Sequence, residues 1–279
     1  MNQNNINIFN DTLNYIKEGR ILSDSSFASS KSTIIYKEKL VANKQTIRAG
    51  KVTITTNRTF EAAIKLHKKH PNKKIAVLNF ASATNPGGGV TNGSSAQEES
   101  LCRCSTLYPV LSSQYLFKNF YLPNRKEHNP LHNDVVIYSP EIIICKSDDE
   151  VNKRLNREEF VKVDVISAAA PNLRERPSNI FNYDGHNSIS ISNKDLYDIH
   201  VSRGKQIIEV ALHNNIEILV LGAFGCGAFK NNPTIVAEAY KELMKEYAKY
   251  FDEIEFAIYC REYDKENYYI FKDKLGGLL

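Results

Sequence analysis

Short runs of apolar residues with little polar alternation recur along the chain, and such runs are typical of strands buried on both faces of a sheet. Between these runs, apolar residues return at every third or fourth position, which predicts helices. Strands that alternate with helices predict an α/β sheet covered by helices on both faces. The predicted strands span residues 47–56, 75–80, 164–170, 216–223 and 254–260, with an edge hairpin at 135–138 and 142–145.

Helical spacing also marks the start of the chain, where an amphipathic helix is predicted over residues 9–22. The other predicted helices span residues 58–69, 97–108, 193–214, 233–250 and 265–275. Polar segments that are rich in serine or interrupted by proline predict loops at residues 23–32, 122–133 and 172–192. Neither the loop at 122–133 nor the loop at 172–192 resembles a domain linker. We therefore predict one domain, residues 46–279, preceded by an N-terminal accessory extension, residues 1–45.

The composition is that of a globular protein with a sizeable core. Of the 279 residues, 42% are hydrophobic and 24% are charged, so neither disulfides nor metals are needed to stabilise the fold. The net charge of +4 is spread along the chain, and it would tolerate a polyanionic partner without indicating a nucleic-acid-binding protein. No secretory signal is recognisable, and no apolar stretch approaches the ~18–20 residues of a membrane helix.

The spacing of the candidate residues does not favour a metal site or nucleophilic catalysis. The five cysteines are odd in number and irregularly spaced, which predicts reduced thiols in a cytoplasmic protein. Cys102 and Cys104 are two positions apart. In zinc and redox sites the common spacing is three positions. Pro130 between His128 and His132 argues against a shared helix face for these two histidines. A Gly-x-Ser-x-Gly nucleophile elbow is absent. We predict neither a metal nor a cofactor.

Two glycine-rich turns directly follow predicted strands. Ligands of open α/β sheets bind beyond the carboxyl ends of the strands, where unhindered backbone N–H groups can wrap a phosphate. Neither turn matches the dinucleotide fingerprint or the Walker loop, and tight strand-to-helix turns alone would also explain the glycines. Exposed aromatic rings at Phe224 and Phe229 favour a ligand, because such rings suit stacking on a base or sugar. The turns contain Gly87, Gly88 and Gly89, and Gly222, Ala223, Phe224, Gly225, Cys226, Gly227, Ala228 and Phe229.

Two adjacent carboxylates, Glu98 and Glu99, follow the first of these turns. Neighbours on a helix point ~100° apart, so the pair cannot oppose each other across a scissile bond as the carboxylates of most glycosidases do. In glycosidic chemistry, one glutamate would therefore carry the proton transfers and the other would bind a ribose hydroxyl. The alternative is a helix N-terminus whose acidic residues match the helix dipole, and the adjacent glycine triplet favours the chemical reading.

These residues resemble the poly(ADP-ribose) glycohydrolases of the short bacterial type. The signature of that family is three glycines, a spacer of six to eight residues, and Gln-Glu-Glu. In this chain Gly87, Gly88 and Gly89 are followed by seven residues and then by Gln97, Glu98 and Glu99. Residues 222–229 resemble the diphosphate loop of the family. The likeness extends from about Leu40 to the C-terminus.

The resemblance implies a macrodomain-like fold, which is a three-layer α/β/α arrangement with a mixed central sheet, here with an N-terminal helical extension. It implies that Glu99 is the catalytic general acid and base and that Glu98 binds a ribose hydroxyl. A glutamic acid that donates a proton at neutral pH needs a raised pKa, which we predict for Glu99. The remaining substrate-binding residues implied by the resemblance are Gln97, Asn85, Gly87, Gly88, Gly89 and Val90, with Phe229 orienting the distal ribose and residues 222–229 covering the diphosphate.

The implied function is hydrolysis of the ribose–ribose bonds of poly(ADP-ribose), mainly from the chain end, with release of ADP-ribose and without a metal. Such an enzyme would act as a monomer on the polymer or on ADP-ribosylated macromolecules, with no membrane and no obligate nucleic-acid partner. One alternative is a macrodomain that binds ADP-ribose without cleaving the polymer, against which the intact glutamate pair argues. Another alternative is a hydrolase of a different ADP-ribosyl linkage, because the leaving group lies outside the motif.

Overall fold

A computed structural model of the chain describes residues 2–23, 32–43, 46–178, 185 and 187–278. In this part of the chain seven strands form a single mixed sheet with the order β1-β4-β5-β3-β6-β7-β2. The strands are β1 (Ile34–Tyr36), β2 (Lys51–Thr55), β3 (Ile75–Phe80), β4 (Val136–Ile144), β5 (Val161–Ala168), β6 (Ile218–Leu221) and β7 (Glu253–Ala257).

Helices connect the strands and precede the first of them. A π-helical turn, Phe117–Tyr121, joins α5 to α6. The helices are α1 (Gln3–Glu18), α2 (Thr59–Lys69), α3 (Gln97–Cys104), α4 (Leu107–Leu111), α5 (Gln114–Leu116), α6 (Leu122–Glu127), α7 (Asn193–His213), α8 (Pro233–Tyr247) and α9 (Glu266–Leu275).

The centre of the sheet is parallel. β3 pairs in parallel with β5 on one side and with β6 on the other, so that Ala76 lies opposite both Asp164 and Leu219. β7 continues the parallel arrangement between β6 and β2. The carboxyl ends of β3, β6 and β7 consequently meet at one edge, which is where ligands of such sheets bind.

Two apolar cores cover the two faces of the sheet. Alternate residues of β3 point to opposite faces: Leu78 packs in a core with residues of α7, α8 and α9, whereas Val77 packs in a core with residues of α1 to α4. Both side chains are fully buried, which explains why β3 shows no polar alternation in the sequence. This arrangement confirms the predicted α/β/α layers around a mixed sheet.

The predicted edge hairpin at residues 135–145 is wrong. These residues form the single strand β4, which lies between β1 and β5 and pairs with both in antiparallel fashion. The register shifts between Ser139 and Ile142, and Glu141 has a φ of +53°. Pro140 lacks an N–H group, so it is tolerated at such a bulge, and the break in the apolar run marks the bulge rather than a turn.

The predicted loop at residues 122–133 is also partly wrong, because α6 occupies its first half. Pro123 lies in the first turn of α6, where its missing N–H group is harmless. The predicted loop at 23–32 falls mostly on residues 24–31, and part of the predicted loop at 172–192 falls on residues 179–184 and 186; both parts lie outside the described residues. None of the described helices has both the length and the apolar character needed to cross a bilayer.

The first helix packs against the helix that carries the two glutamates. α1 begins six residues earlier than predicted, because the side chain of Asn2 caps it by accepting from the backbone N–H of Asn5. The side chain of Asn5 donates to the carbonyl of Gly93 at 3.0 Å, and the hydroxyl of Thr12 donates to the carbonyl of Arg103 at 2.5 Å. The division into residues 1–45 and 46–279 stays a prediction.

Candidate active site

Two adjacent glutamates occupy the first turn of α3, where their side chains are almost fully buried. Glu98 is 3% exposed and Glu99 is 7% exposed. Burial removes water from both carboxyl groups and raises the pKa of each above its ordinary value. Repulsion from the charge of Glu99 adds to the increase in the pKa of Glu98. Near neutral pH we therefore expect the pair to retain a proton.

The two carboxyl groups differ in their hydrogen-bond partners. Glu98 accepts from the backbone N–H of Ser82 at 2.8 Å and from the side-chain amide of Asn79 at 3.3 Å. Glu99 accepts at Oε1 from the backbone N–H of Gly89 at 2.8 Å. Its other oxygen, Oε2, is buried and has no hydrogen-bond partner among the described residues. Glu98 is thus held by several donors, whereas Glu99 keeps one oxygen uncommitted.

The first glycine turn lies directly against both carboxyl groups. Gly88 has a φ of +58°, which is the left-handed region that favours glycine. A Cβ atom at Gly88 would lie 2.5 Å from Oε1 of Glu99 and 3.1 Å from Oε2 of Glu98. The turn therefore needs glycine both for its backbone conformation and for the close approach of the two acids.

Gln97 and Val90 are engaged in structural contacts. The side-chain amide of Gln97 donates to the carbonyl of Leu78 at 2.7 Å and to the hydroxyl of Thr59 at 3.0 Å. Its oxygen accepts from the backbone N–H of Phe80 at 2.9 Å. These bonds use both amide hydrogens of Gln97 and anchor α3 to β3. Val90 is fully buried in the core, so its side chain offers no surface to a ligand.

The second glycine turn, residues 222–229, is fixed from behind by Asn231, which is 2% exposed. Nδ2 of Asn231 donates to the carbonyls of Pro171, Gly225 and Phe229 at 2.6, 3.2 and 3.2 Å. Because the amide nitrogen faces these carbonyls, Oδ1 faces His200, whose Nε2 lies 2.8 Å away and donates to it. Neutral His200 thus orients the side-chain amide of Asn231, and that amide fixes the second glycine turn.

This arrangement predicts a loss of stability in acid. Burial lowers the pKa of His200 from 6.5 to about 4, and its Nδ1 has no hydrogen-bond partner among the described residues. Between these two pH values the unfolded chain binds a proton that the folded chain does not, so the free energy of unfolding falls as the pH drops through this window. The contribution of His200 to this decrease is roughly 2–3 kcal/mol, measured as the difference between the wild type and a variant without this histidine in denaturant unfolding from pH 7 to pH 4.

His200→Gln is the control for this prediction. Glutamine keeps an N–H donor for Asn231 and does not titrate, so the pH dependence should become shallower. A residual slope is expected from His132, whose pKa burial lowers to about 3. An unchanged slope in the variant would contradict the role of His200.

The prediction that the ring of Phe224 is exposed for stacking is wrong. Phe224 is 1% exposed, and its ring packs 5.6 Å from the ring of Phe80 and 5.8 Å from that of His200. The turn directs this side chain into the core beneath the sheet, where it supports the loop. Phe229, in contrast, is partly exposed and lines the pocket.

A pocket of about 630 Å³ opens where β3, β6 and β7 end, and it brings the two predicted turns together. Glu98, Glu99 and Gln97 contribute to its wall. The lining residues from the turns are Gly88, Gly89, Ala223, Gly225, Gly227, Ala228 and Phe229. The candidates outside the lining are Asn85, Gly87, Val90, Gly222, Phe224 and Cys226. In the described residues, no three His, Cys, Asp or Glu side chains are grouped as a metal ion would require.

Several residues of the pocket carry no specific signal in the sequence. Arg58 and Tyr259 lie at its β7 side, with the guanidinium 3.9 Å from the centre of the tyrosine ring, and Asn267 lines the pocket as well. Arg174 also lines the pocket, 5.6 Å from the ring of Phe229. Tyr259 lies two residues beyond β7 and near the end of the strand predicted at 254–260, a position that indicates a ligand because ligands bind at strand ends.

Fold and site together define a macrodomain-like α/β domain whose ligand pocket contains two buried carboxyl groups. The family model for the catalytic domain of microbial-type PARG matches residues 3–147, a little over half of the chain. The chain belongs to this family, as the motif at residues 87–99 predicted.

Solved structures of poly(ADP-ribose) glycohydrolases are similar to this chain over most of its length. The enzyme from Deinococcus radiodurans in complex with ADP-ribose is 30% identical, with a TM-score of 0.74, and the match covers 89% of this chain and 96% of that one. The enzyme from Thermomonospora curvata is 25% identical, with a TM-score of 0.79, over 98% and 100% of the two chains. No curated protein matches this sequence.

Proposed function

We propose that this protein is a poly(ADP-ribose) glycohydrolase that cleaves ribose–ribose bonds, mainly from the chain end, and releases ADP-ribose. The observation that carries the proposal is the carboxyl group of Glu99, which is buried at a glycine-lined pocket with Oε2 uncommitted. Membership of the PARG family and the solved complex of the Deinococcus radiodurans enzyme with ADP-ribose support the choice of substrate.

Glu99 acts as the general acid and then as the general base. Gly89 donates to Oε1, so the proton of the neutral acid resides on Oε2. From there it passes to the ribose oxygen that leaves as the acetal breaks through an oxocarbenium-like state. The carboxylate that remains takes a proton from the water that attacks C1, which restores the acid. Burial favours the neutral form that the first step requires.

Glu98 positions the substrate beside Glu99. The backbone N–H of Ser82 and the amide of Asn79 fix its carboxylate, and each oxygen retains a lone pair that can accept from a ribose hydroxyl. Its closeness to Glu99 disfavours two negative charges, and this repulsion together with burial raises the pKa of Glu98. The adjacent acids thus divide binding and proton transfer between them.

The second glycine turn binds the diphosphate. The backbone N–H groups of Gly227, Ala228 and Phe229 have no acceptor among the described residues, and the three residues line the pocket. Backbone donors in a turn of this kind suit a diphosphate, whose negative charge in turn stabilises the cationic transition state. At the β7 side of the pocket the ring of Tyr259, which is 46% exposed, suits stacking on the adenine.

Product analysis with two substrates tests the linkage. Poly(ADP-ribose) of defined length and a mono-ADP-ribosylated protein are incubated with the enzyme, and the products are separated by chromatography. We expect free ADP-ribose from the polymer, released from the chain end, with the protein-linked unit left in place. Release of ADP-ribose from the mono-modified protein, with none from the polymer, would contradict this function and indicate hydrolysis of another ADP-ribosyl linkage. Binding without release would indicate a macrodomain that only binds ADP-ribose.

We also propose a cytoplasmic location for the enzyme. All five cysteines are free in the structure, and three of them are buried. Free thiols in this number are typical of proteins kept in a reducing compartment.

A further inference from the structure

An exposed aromatic and basic surface lies beside the active site and has no part in the function proposed above. We use the name 115–126 surface for the aromatic and basic side chains on this helical segment that are exposed or half-buried, namely Tyr115, Phe117, Lys118, Arg125 and Lys126. Tyr115 is 52% exposed and Phe117 is 36% exposed, although most large apolar side chains of the protein are buried. We infer that this surface binds the next ADP-ribose unit of the polymer, the unit that carries the leaving oxygen. The inference rests on the proposed function.

Contacts between neighbouring residues connect the 115–126 surface to the catalytic glutamate. The guanidinium of Arg125 lies 5.2 Å from the centre of the Phe117 ring and donates to Oδ1 of Asn85 at 2.5 Å. The carbonyl of Asn85 accepts from the backbone N–H of Gly88 at 3.0 Å, and Gly88 contacts Glu99. A substrate that extends from the bond beside Glu99 therefore has this surface within its reach.

The surface lies on the side of the site away from Tyr259. Residues 127–135 lead from this surface into β4, and on the way the carbonyl of Pro130 accepts from the backbone N–H of Asn172, just beyond β5, at 2.8 Å. Tyr259 follows β7, and in the sheet order β4 and β7 lie on opposite sides of β3. A terminal unit with its adenine at Tyr259 and its distal ribose at Glu99 therefore points the rest of the polymer towards the 115–126 surface.

The chemistry of the surface matches an ADP-ribose unit, which carries one purine and one diphosphate. Exposed aromatic rings stack on bases without regard to sequence, and basic side chains pair with phosphate oxygens. Among the described residues Arg125 donates to uncharged acceptors, the carbonyl of Thr84 and the amide of Asn85, and none of the acids described there pairs with it. Lys118 and Lys126 form no ion pair within the described part of the chain. The surface thus offers both rings and unpaired positive charge.

The test is a triple variant that leaves the active-site contacts in place: Tyr115→Ala with Lys118→Glu and Lys126→Glu. Arg125 is left unchanged because it donates to Asn85, and Phe117 is left unchanged because its ring packs against Arg125. We expect KM for poly(ADP-ribose) to increase about tenfold or more, from loss of one stacked base and of phosphate contacts, with kcat within about twofold of wild type. The inhibition constant of free ADP-ribose, which fills only the terminal site, should not change. The dependence of KM on salt should also decrease.

A matched control has the same change in charge elsewhere on the surface. Tyr269→Ala with Lys194→Glu and Lys245→Glu removes an exposed ring and reverses two exposed lysines on α7, α8 and α9. If KM rises as much in this control as in the first variant, the effect comes from the change in net charge, and the inference is overturned. An unchanged KM in the first variant would overturn it too, as would an equal weakening of free ADP-ribose.

Direct binding separates this inference from the proposed function. Binding of labelled polymer to the wild type and to the triple variant is measured without turnover, alongside binding of ADP-ribose. Failure of the wild type to release ADP-ribose would overturn the proposed function alone, whereas equal polymer affinities of the wild type and the variant would overturn the second binding site alone.

Discussion

Replacement of Glu99 by glutamine is expected to abolish polymer hydrolysis and to leave ADP-ribose binding intact. Glutamine has the same shape, and its side-chain oxygen can still accept from the backbone N–H of Gly89. It cannot deliver a proton from the position of Oε2, so the leaving ribose would depart as an unprotonated alkoxide. We expect kcat to decrease by about 10²–10⁴-fold, which is the usual contribution of a general acid. Release of ADP-ribose from polymer is the measurement.

Glu98→Gln is the partner variant for this experiment. If Glu98 binds a ribose hydroxyl, its removal should raise KM, and kcat should decrease less than in Glu99→Gln. Calorimetric titration with ADP-ribose shows whether the pocket is intact in both proteins. Wild-type turnover in Glu99→Gln, or a greater loss of kcat in Glu98→Gln, would contradict the assigned roles.

The value of kcat should also decrease on the alkaline side of its pH profile. Burial raises the pKa of Glu99, and the neutral acid that donates the proton disappears as the pH rises through this pKa. Measurement of kcat from pH 5 to pH 9 should therefore show an alkaline limb. A rate that increases steadily to pH 9 would exclude Glu99 as the proton donor.

The second large effect is expected from Gly88→Ala. The new Cβ atom would lie 2.5 Å from Oε1 of Glu99, and the φ of +58° disfavours alanine. The turn must move, or the glutamate must, and a displacement of about 1 Å at a reacting group costs on the order of 10²-fold in rate. We expect a decrease of this size in kcat/KM for the polymer.

Gly227→Ala is a suitable control for this substitution. It lies in the second glycine turn, and a Cβ atom there would meet nothing within 4 Å. Its rate should remain close to that of the wild type, because the added methyl group displaces no protein atom. Equal losses in the two variants would indicate that both turns simply lose flexibility, and would contradict the steric role of Gly88. Thermal unfolding of each variant shows whether the fold is retained.

The sequence predicted the centre of the sheet better than its border. β3 is buried on both faces, so its apolar run and its observed bounds agree at Ile75–Phe80. The sequence predicts a turn where β4 has its bulge, because Pro140 and a polar neighbour interrupt an apolar run in the same way that a hairpin does. The sequence predicts no element at residues 114–121, because exposed and buried positions there do not follow the regular helical period of 3.6 residues.

The candidate site was predictable where backbone conformation determines the residue type. The glycines at 87 and 88 have positive φ values, and the sequence displays that requirement directly. Partners of side chains are different, because they depend on contacts between distant segments. The bonds of Gln97 to Thr59 and β3, and the packing of Phe224 beneath the sheet, follow from such contacts. For the same reason the sequence does not predict that Asn231 and His200 fix the second turn.

The burial of Glu98 and Glu99 favours catalysis but lowers the stability of the folded chain. A carboxyl group whose pKa is raised in the folded chain destabilises that chain as the pH rises from 4.5 towards the raised value, because the unfolded chain ionises first. At neutral pH, glutamine at either position should therefore increase the free energy of unfolding. A library of random variants selected only for survival of heating would be enriched in proteins that have lost these acids, and the most heat-resistant members would be inactive.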